Sequence, residues 1–117
     1  MGRSGGAGRT DEARRAALAP AVAALEAELR RLGWWQVAPI EPERMNFRQA
    51  FGMDTMAFAQ WLQFVFVPAA REMLAGRRPL PPSSMLAAHA VREFDGVPEA
   101  DRVCAILRDV DAAVDPS

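Results

Sequence analysis

The segment from Phe51 to Pro68, FGMDTMAFAQWLQFVFVP, constrains the fold more than any other part of the chain. An ordinary surface helix carries one apolar stripe. Here Phe58, Trp61, Leu62, Phe64, Val65, Phe66 and Pro68, with Met73 beyond, spread over well over half of a helical wheel. Gln60, Gln63 and Arg71 occupy the remaining arc. Such a helix needs neighbours on several sides, which predicts a central helix in an all-α core. Asp54 stands at its N-cap position, placed to accept from the N–H of Met56 or Ala57. Pro68 donates no hydrogen bond, which frees the carbonyl of Phe64 and predicts a kink. Gly76 predicts the end of the helix.

The flanking sequence supplies three more helices. Leu18, Val22, Leu25, Leu29 and Leu32 step by four and three, one stripe of a helix from about Asp11 to Leu32. Pro20 predicts either a kink there or a strong helix that begins near it. Gly33 is the stop signal, and Arg30 and Arg31 complement the negative helix end. Residues 34–53 form a long connection whose tryptophans, methionines and phenylalanines require it to pack on the bundle. After the stiff linker Pro79-Leu80-Pro81-Pro82, Ser83 or Ser84 predicts the cap of a third helix ending near Phe94. Pro98 opens a fourth, with Val103, Ile106, Leu107, Val110 and Val114 as its core stripe. No strand alternation or internal repeat appears. The expectation is a closed, four-helix bundle-like all-α fold with a long packed loop between helices one and two. Residues 1–10, glycine-rich and polar, read as a disordered tail, and residues 11–117 as a single domain.

Composition excludes much chemistry. The chain has one histidine, one cysteine and no tyrosine, and all 14 of its Lys and Arg residues are arginine. No lysine is present to form a Schiff base, and His89 and Cys104 have no metal-ligand spacing around them, so neither a metal nor a cofactor is expected. His89 lies on an alanine-rich helix and reads as a solvated or hydrogen-bonded structural residue. Cys104 falls on the core stripe and reads as an inert thiol. Asp109 and Asp111, two apart on a helix, point away from each other and form no carboxylate pair. Glu41 and Glu43 could approach Asp54, yet solvated carboxylates are the simpler reading. A net charge of −1 and interspersed acids argue against direct nucleic-acid binding. The N-terminus has no apolar core of a signal peptide, and the run through Val67 is too short to span a bilayer, so a soluble cytoplasmic protein without membrane contact is expected.

The run Met53-Asp54-Thr55-Met56, then Trp61-Leu62-Gln63, Val65 and Pro68, followed by Pro79-Leu80-Pro81, resembles the YqcC-like family of small all-α bacterial proteins, whose biochemical function is not established. The resemblance extends from about Leu18 into the fourth helix. Gln60 stands where family members often carry Glu, and Ala69 where they often carry a basic residue. The resemblance implies a four-helix fold and, because family genes often neighbour the gene for a tRNA pseudouridine synthase, an accessory role in RNA modification. It implies no catalytic residues.

The candidate binding residues are Trp34, Trp35, Asp54, Trp61 and Gln63. Trp61 reads as core, with its indole N–H seeking a partner that Gln63 could supply. Trp34 and Trp35, being adjacent, point different ways; one is expected to staple helix one and the other to face a partner. Three functions follow. The first is a non-enzymatic helical interaction module that binds a protein through the loop 34–53 and the start of the second helix, with a tRNA pseudouridine synthase as the partner by resemblance. The alternative is a small-molecule or nucleotide-binding bundle in which Asp54 and Gln63 converge beneath the tryptophans. The third is weak catalysis by Asp54 with Glu41 or Glu43. The same surface could also support a homodimer.

Overall fold

The computed structural model describes residues 8–117, and every regular element in it is helical. The first helix, α1 (Asp11–Arg31), is capped by Thr10, whose hydroxyl accepts from the Ala13 N–H at 3.0 Å. It passes through Pro20 unbroken. The expected interruption does not occur because Pro20 and Ala16 both lie on the exposed face, where water can solvate the freed carbonyl. Gly33, at φ 75°, ends the helix in the left-handed conformation, and the Trp34 N–H closes back on the Leu29 carbonyl at 2.9 Å.

A loop with two short 3₁₀ turns (Pro42–Met45 and Ala50–Gly52) leads to the second rod. This rod consists of α2 (Phe58–Trp61), a π-helical turn (Leu62–Phe66) and α3 (Val67–Leu74) running on continuously. In the π turn the Val67 N–H donates to the Leu62 carbonyl, five residues back. This turn alters the sequence reading in two ways. It ends two residues before Pro68, so the proline follows a widened turn that accommodates it. It also restores one buried face. Phe58, Leu62, Val67 and Ala70 are all fully or almost fully buried. At 3.6 residues per turn Val67 would sit about 140° away from Leu62. The wider turn returns it to the same side. The apolar arc is thus broad partly because a uniform period misplaces the residues after Leu62.

The second rod is therefore not the centre of the fold, contrary to expectation. Trp61, Phe64, Val65 and Phe66 are only half-buried. The centre is the last helix, α5 (Asp101–Val114), which is entered through a 3₁₀ turn begun by Pro98. Val103, Leu107 and Val110 are completely buried, and the most extensive helix packing is between α1 and α5. The remaining helix, α4 (Leu86–Glu93), packs on α5. Its cap is not Ser83 or Ser84. Asp111 of α5 reaches across and accepts from the Leu86 N–H at 3.0 Å and the Ala87 N–H at 2.9 Å, and Ser84 donates its hydroxyl to the same carboxylate.

Arginines tie the ends of the fold together. Arg14, only 6% exposed, donates from Nε to the Val114 carbonyl at 2.9 Å, from Nη2 to the Pro81 carbonyl at 2.5 Å, and from Nη1 to Asp11 at 3.0 Å. It closes the C-terminus of α5, anchors the proline linker and fixes the start of α1 at once. Of the expected tail 1–10, residues 1–7 fall outside the described part. Arg9 donates its N–H to the Pro116 carbonyl at 2.7 Å, and its side chain donates to carbonyls of the last turn of α5. Glu28 is buried between α1 and α5; the Arg31 guanidinium beside it at 2.6 Å holds its carboxyl below the usual range, with Arg102 adding to the effect.

Candidate interaction surface

The loop 34–57 is built onto the second rod by polar side chains, among them the binding candidates Gln63 and Asp54. Gln63, 7% exposed, uses its whole carboxamide on the backbone of Gln36. Its Nε2 donates to the Gln36 carbonyl and its Oε1 accepts from the Gln36 N–H, both at 2.8 Å. Gln60 adds a third bond, donating to the Gln36 side chain at 2.7 Å, and its Oε1 accepts from the Ala57 N–H at 2.9 Å at the start of the rod. Gln63 is therefore a loop clamp and does not serve the Trp61 indole.

Asp54 is not the N-cap of the second rod. The chain is still turning there, with the N–H groups of Thr55 and Met56 both closing on the Gly52 carbonyl. Met56 must enter the core before the helix can begin, which delays its first residue to Phe58. Asp54 instead accepts from the N–H of Arg48 at 3.0 Å and of Gln49 at 3.3 Å, bracing the second 3₁₀ turn. Those two backbone donors, Arg48 first, hold its carboxyl below the ordinary range. Thr55 donates its hydroxyl to the Arg44 carbonyl at 2.6 Å. Glu41 faces Arg44 at 3.2 Å. The pocket in which Asp54 and Gln63 would converge on a small molecule does not form, since each is committed to a different stretch of backbone. Asp54 and Glu41 form no carboxylate pair either.

The tryptophans are divided between two supports. Trp34 packs on Phe94 with ring centroids 5.4 Å apart, and Arg30 lies over Trp35 at 4.7 Å. Both are half-buried and pack against the core. Trp61 is also half-buried, stacked between Phe58 and Phe66. The exposed large apolar side chains of the loop are Val37, Met45 and Met53.

Beneath the loop, Phe51 holds a left-handed backbone at φ 58°, a conformation that costs a bulky residue on the order of 1–3 kcal/mol. Its ring stacks on His89, with centroids 4.1 Å apart, and meets Phe58 and Trp61 edge-on. Gly52 follows at φ 63°, where a Cβ would stand 3.1 Å from the Trp61 ring. His89 is neither solvated nor hydrogen-bonded at Nε2: it is 5% exposed, and that nitrogen has no partner among the described residues. Burial pushes its pKa down and keeps the ring neutral. Cys104 is buried, and burial pushes its thiol up.

A groove of about 640 Å³ runs between the loop and the end of α4, lined by Trp34, Gln36, Ala57, Gln60, Phe94 and Val97 among others. A second, of about 650 Å³, continues over the α4–α5 corner from the shared residues Phe94 and Val97 to Pro98, Asp101 and Arg108. Among the described residues no three His, Cys, Asp or Glu side chains gather in a way that could hold a metal ion, and no helix is long and apolar enough to cross a membrane.

Fold and surface together define a small all-α, four-helix protein whose polar residues around the tryptophan loop fasten the loop to the bundle. The family model described as tRNA pseudouridine synthase C (DUF446) matches residues 17–113, and the chain belongs to this YqcC-like family. Its structure matches the solution structure of YqcC from Escherichia coli with a TM-score of 0.77 at 29% identity, over 90% of this chain and 92% of that one. In sequence it is 41% identical to Escherichia coli YqcC over 58 residues, covering 50% of this chain and 53% of that protein. It is also 41% identical over 59 residues to a protein of Pectobacterium carotovorum named tRNA pseudouridine synthase C, covering 50% of this chain and 16% of that protein. The chain thus spans about half or less of the length of these two relatives.

Proposed function

We propose that this chain is an accessory module of a tRNA pseudouridine synthase, docking on the enzyme through the loop 34–53 and the start of the second rod and contributing no catalytic group. One observation carries the reading. A segment 41% identical to half of this chain makes up 16% of a protein that bears the synthase's name. Joining two modules in one polypeptide raises their effective concentration, an arrangement useful to modules that work in contact. The architecture of the loop supports the same reading. Val37, Met45 and Met53 are exposed on a segment that Gln63, Gln60, Asp54 and Thr55 hold in place, as a preorganised binding surface requires.

The test is to mix the purified chain with purified tRNA pseudouridine synthase C, measure complex formation by light scattering, and follow pseudouridine formation in tRNA with and without it. The expected outcome is a defined complex that Met53→Asp or Val37→Asp weakens, together with a changed turnover or KM of the synthase. A synthase that neither binds the chain nor responds to it sinks the reading. Pseudouridine formation by the chain alone would overturn the assignment of a non-catalytic role.

A further inference from the structure

We infer that the trough formed by the two continuous grooves receives a basic amphipathic segment of the partner synthase; this rests on the accessory reading above and assigns the surface and chemistry of the contact. The floor is apolar. Trp34, Phe94, Val97 and Pro98 line it, and Val91 at its edge is half exposed. The rim gathers four acids, Glu93, Asp95, Glu99 and Asp101, within one short stretch of chain, residues 93–101. Five acids elsewhere are matched within the chain, Asp11 by Arg14, Glu26 by Arg30 and Arg71, Glu28 by Arg31, Glu41 by Arg44 and Glu72 by Arg77, while Glu12, Glu43 and Asp109, without an ion pair among the described residues, are scattered over α1, the first 3₁₀ turn and α5. Around the trough, Glu93, Asp95 and Asp101 line the grooves and Glu99 stands beside them. None of these four forms an ion pair with an arginine of the described residues, although Arg108 lines the same wall.

An apolar floor with an unmatched acidic rim has a definite complement: a segment with apolar side chains on one face and Lys or Arg on its flanks. Apolar contact supplies the affinity, while the rim charges set orientation and encounter rate. The clamped loop keeps one wall of the trough in place, since Gln36, held by Gln60 and Gln63, is itself a lining residue. The α4–α5 corner supplies the other wall.

Binding of the full chain to purified tRNA pseudouridine synthase C is measured by titration calorimetry at low and high salt. Three proteins are compared: the unaltered chain, Glu93→Arg/Asp95→Arg in the trough rim, and Glu12→Arg/Asp109→Arg as a control with the same charge change. All four positions are exposed. Melting curves establish that each variant folds. The expected result is a loss of affinity of tenfold or more for the rim variant and less than twofold for the control, with wild-type binding weakening steeply as salt is raised. If the unaltered chain binds and both variants lose equally, or neither loses, the trough assignment fails while the accessory reading stands. If the unaltered chain does not bind the synthase, or binds tRNA in its place, both fail.

Discussion

Arg14→Met is the substitution that most directly tests how this fold is closed. Methionine preserves the length and apolar stem of the side chain and removes only the guanidinium. That group is almost wholly shielded from water and donates to two backbone carbonyls, those of Val114 and Pro81, besides Asp11. Leaving two buried carbonyls without donors costs about 1–3 kcal/mol each. Against this stands the relief of no longer desolvating a charge, which can recover a few kcal/mol. The Val114 carbonyl belongs to the last turn of α5, where a cation is also favoured by the helix dipole, by about 0.3–1 kcal/mol. The net expected loss is about 2–4 kcal/mol, a large share of the 5–15 kcal/mol typical of a whole domain. Urea denaturation followed by tryptophan fluorescence reads it as a lower midpoint at unchanged slope. Arg14→Lys keeps the charge but not the fork, and falls between methionine and wild type. Arg78→Ala, exposed and without an ion pair among the described residues, stays within about 0.5 kcal/mol of wild type. A loss below about 1 kcal/mol for Arg14→Met refutes the reasoning and makes the guanidinium a neutral filler.

Asp111→Ala removes the cap that α5 provides to α4, with an expected loss of about 1–2 kcal/mol and faster hydrogen exchange at the Leu86 and Ala87 amides. Gln63→Leu fits the space but leaves the Gln36 N–H and carbonyl unpaired; about 1–3 kcal/mol is lost, and the tryptophan emission changes because the loop is released. His89 has a folded pKa below its unfolded value of about 6.5, so the unfolded chain takes up its proton first. Stability is then full above that pH and declines as pH falls below it toward the folded value. His89→Leu flattens this part of the stability–pH profile; an equally steep decline in the variant would show that other groups cause it. Glu28 and Asp54, both with lowered folded values, contribute a second decline below the ordinary carboxylate range, which Glu28→Gln reduces.

The helices that pack most closely were legible in the sequence, because the stripes of α1 and α5 follow an undistorted period. Leu18, Val22, Leu25 and Leu29, and all five stripe residues of α5, are buried as their spacing requires. The second rod misled for a physical reason. Its register changes in a π turn, which smears one face around a uniform wheel. Polar residues were the hardest to place. Asp54 has the form of an N-cap, yet Met56 is drawn into the core and moves the helix start beyond its reach. The capping role of Asp111 leaves no local mark in the sequence, because the amides it caps lie about 25 residues away. Arg14 carries no local mark of its burial, since its partners come from the linker and the far end of the chain. Gln63 reads as a binding candidate or as the partner of the Trp61 indole, and only the structure supplies the Gln36 backbone it holds instead.

The bond between the Arg9 N–H and the Pro116 carbonyl has a consequence for how such a unit can be wired into larger proteins. Entry and exit of the polypeptide lie side by side at one pole. The trough lies at the opposite pole, beside the first turn of α5, whose 14 residues span about 21 Å. A unit with adjoining ends can be spliced into a host loop, or hung from either end of a host, with little loop-closure entropy. Whichever splice is used, the host backbone attaches at the arginine-tied pole and leaves the acidic trough unobstructed.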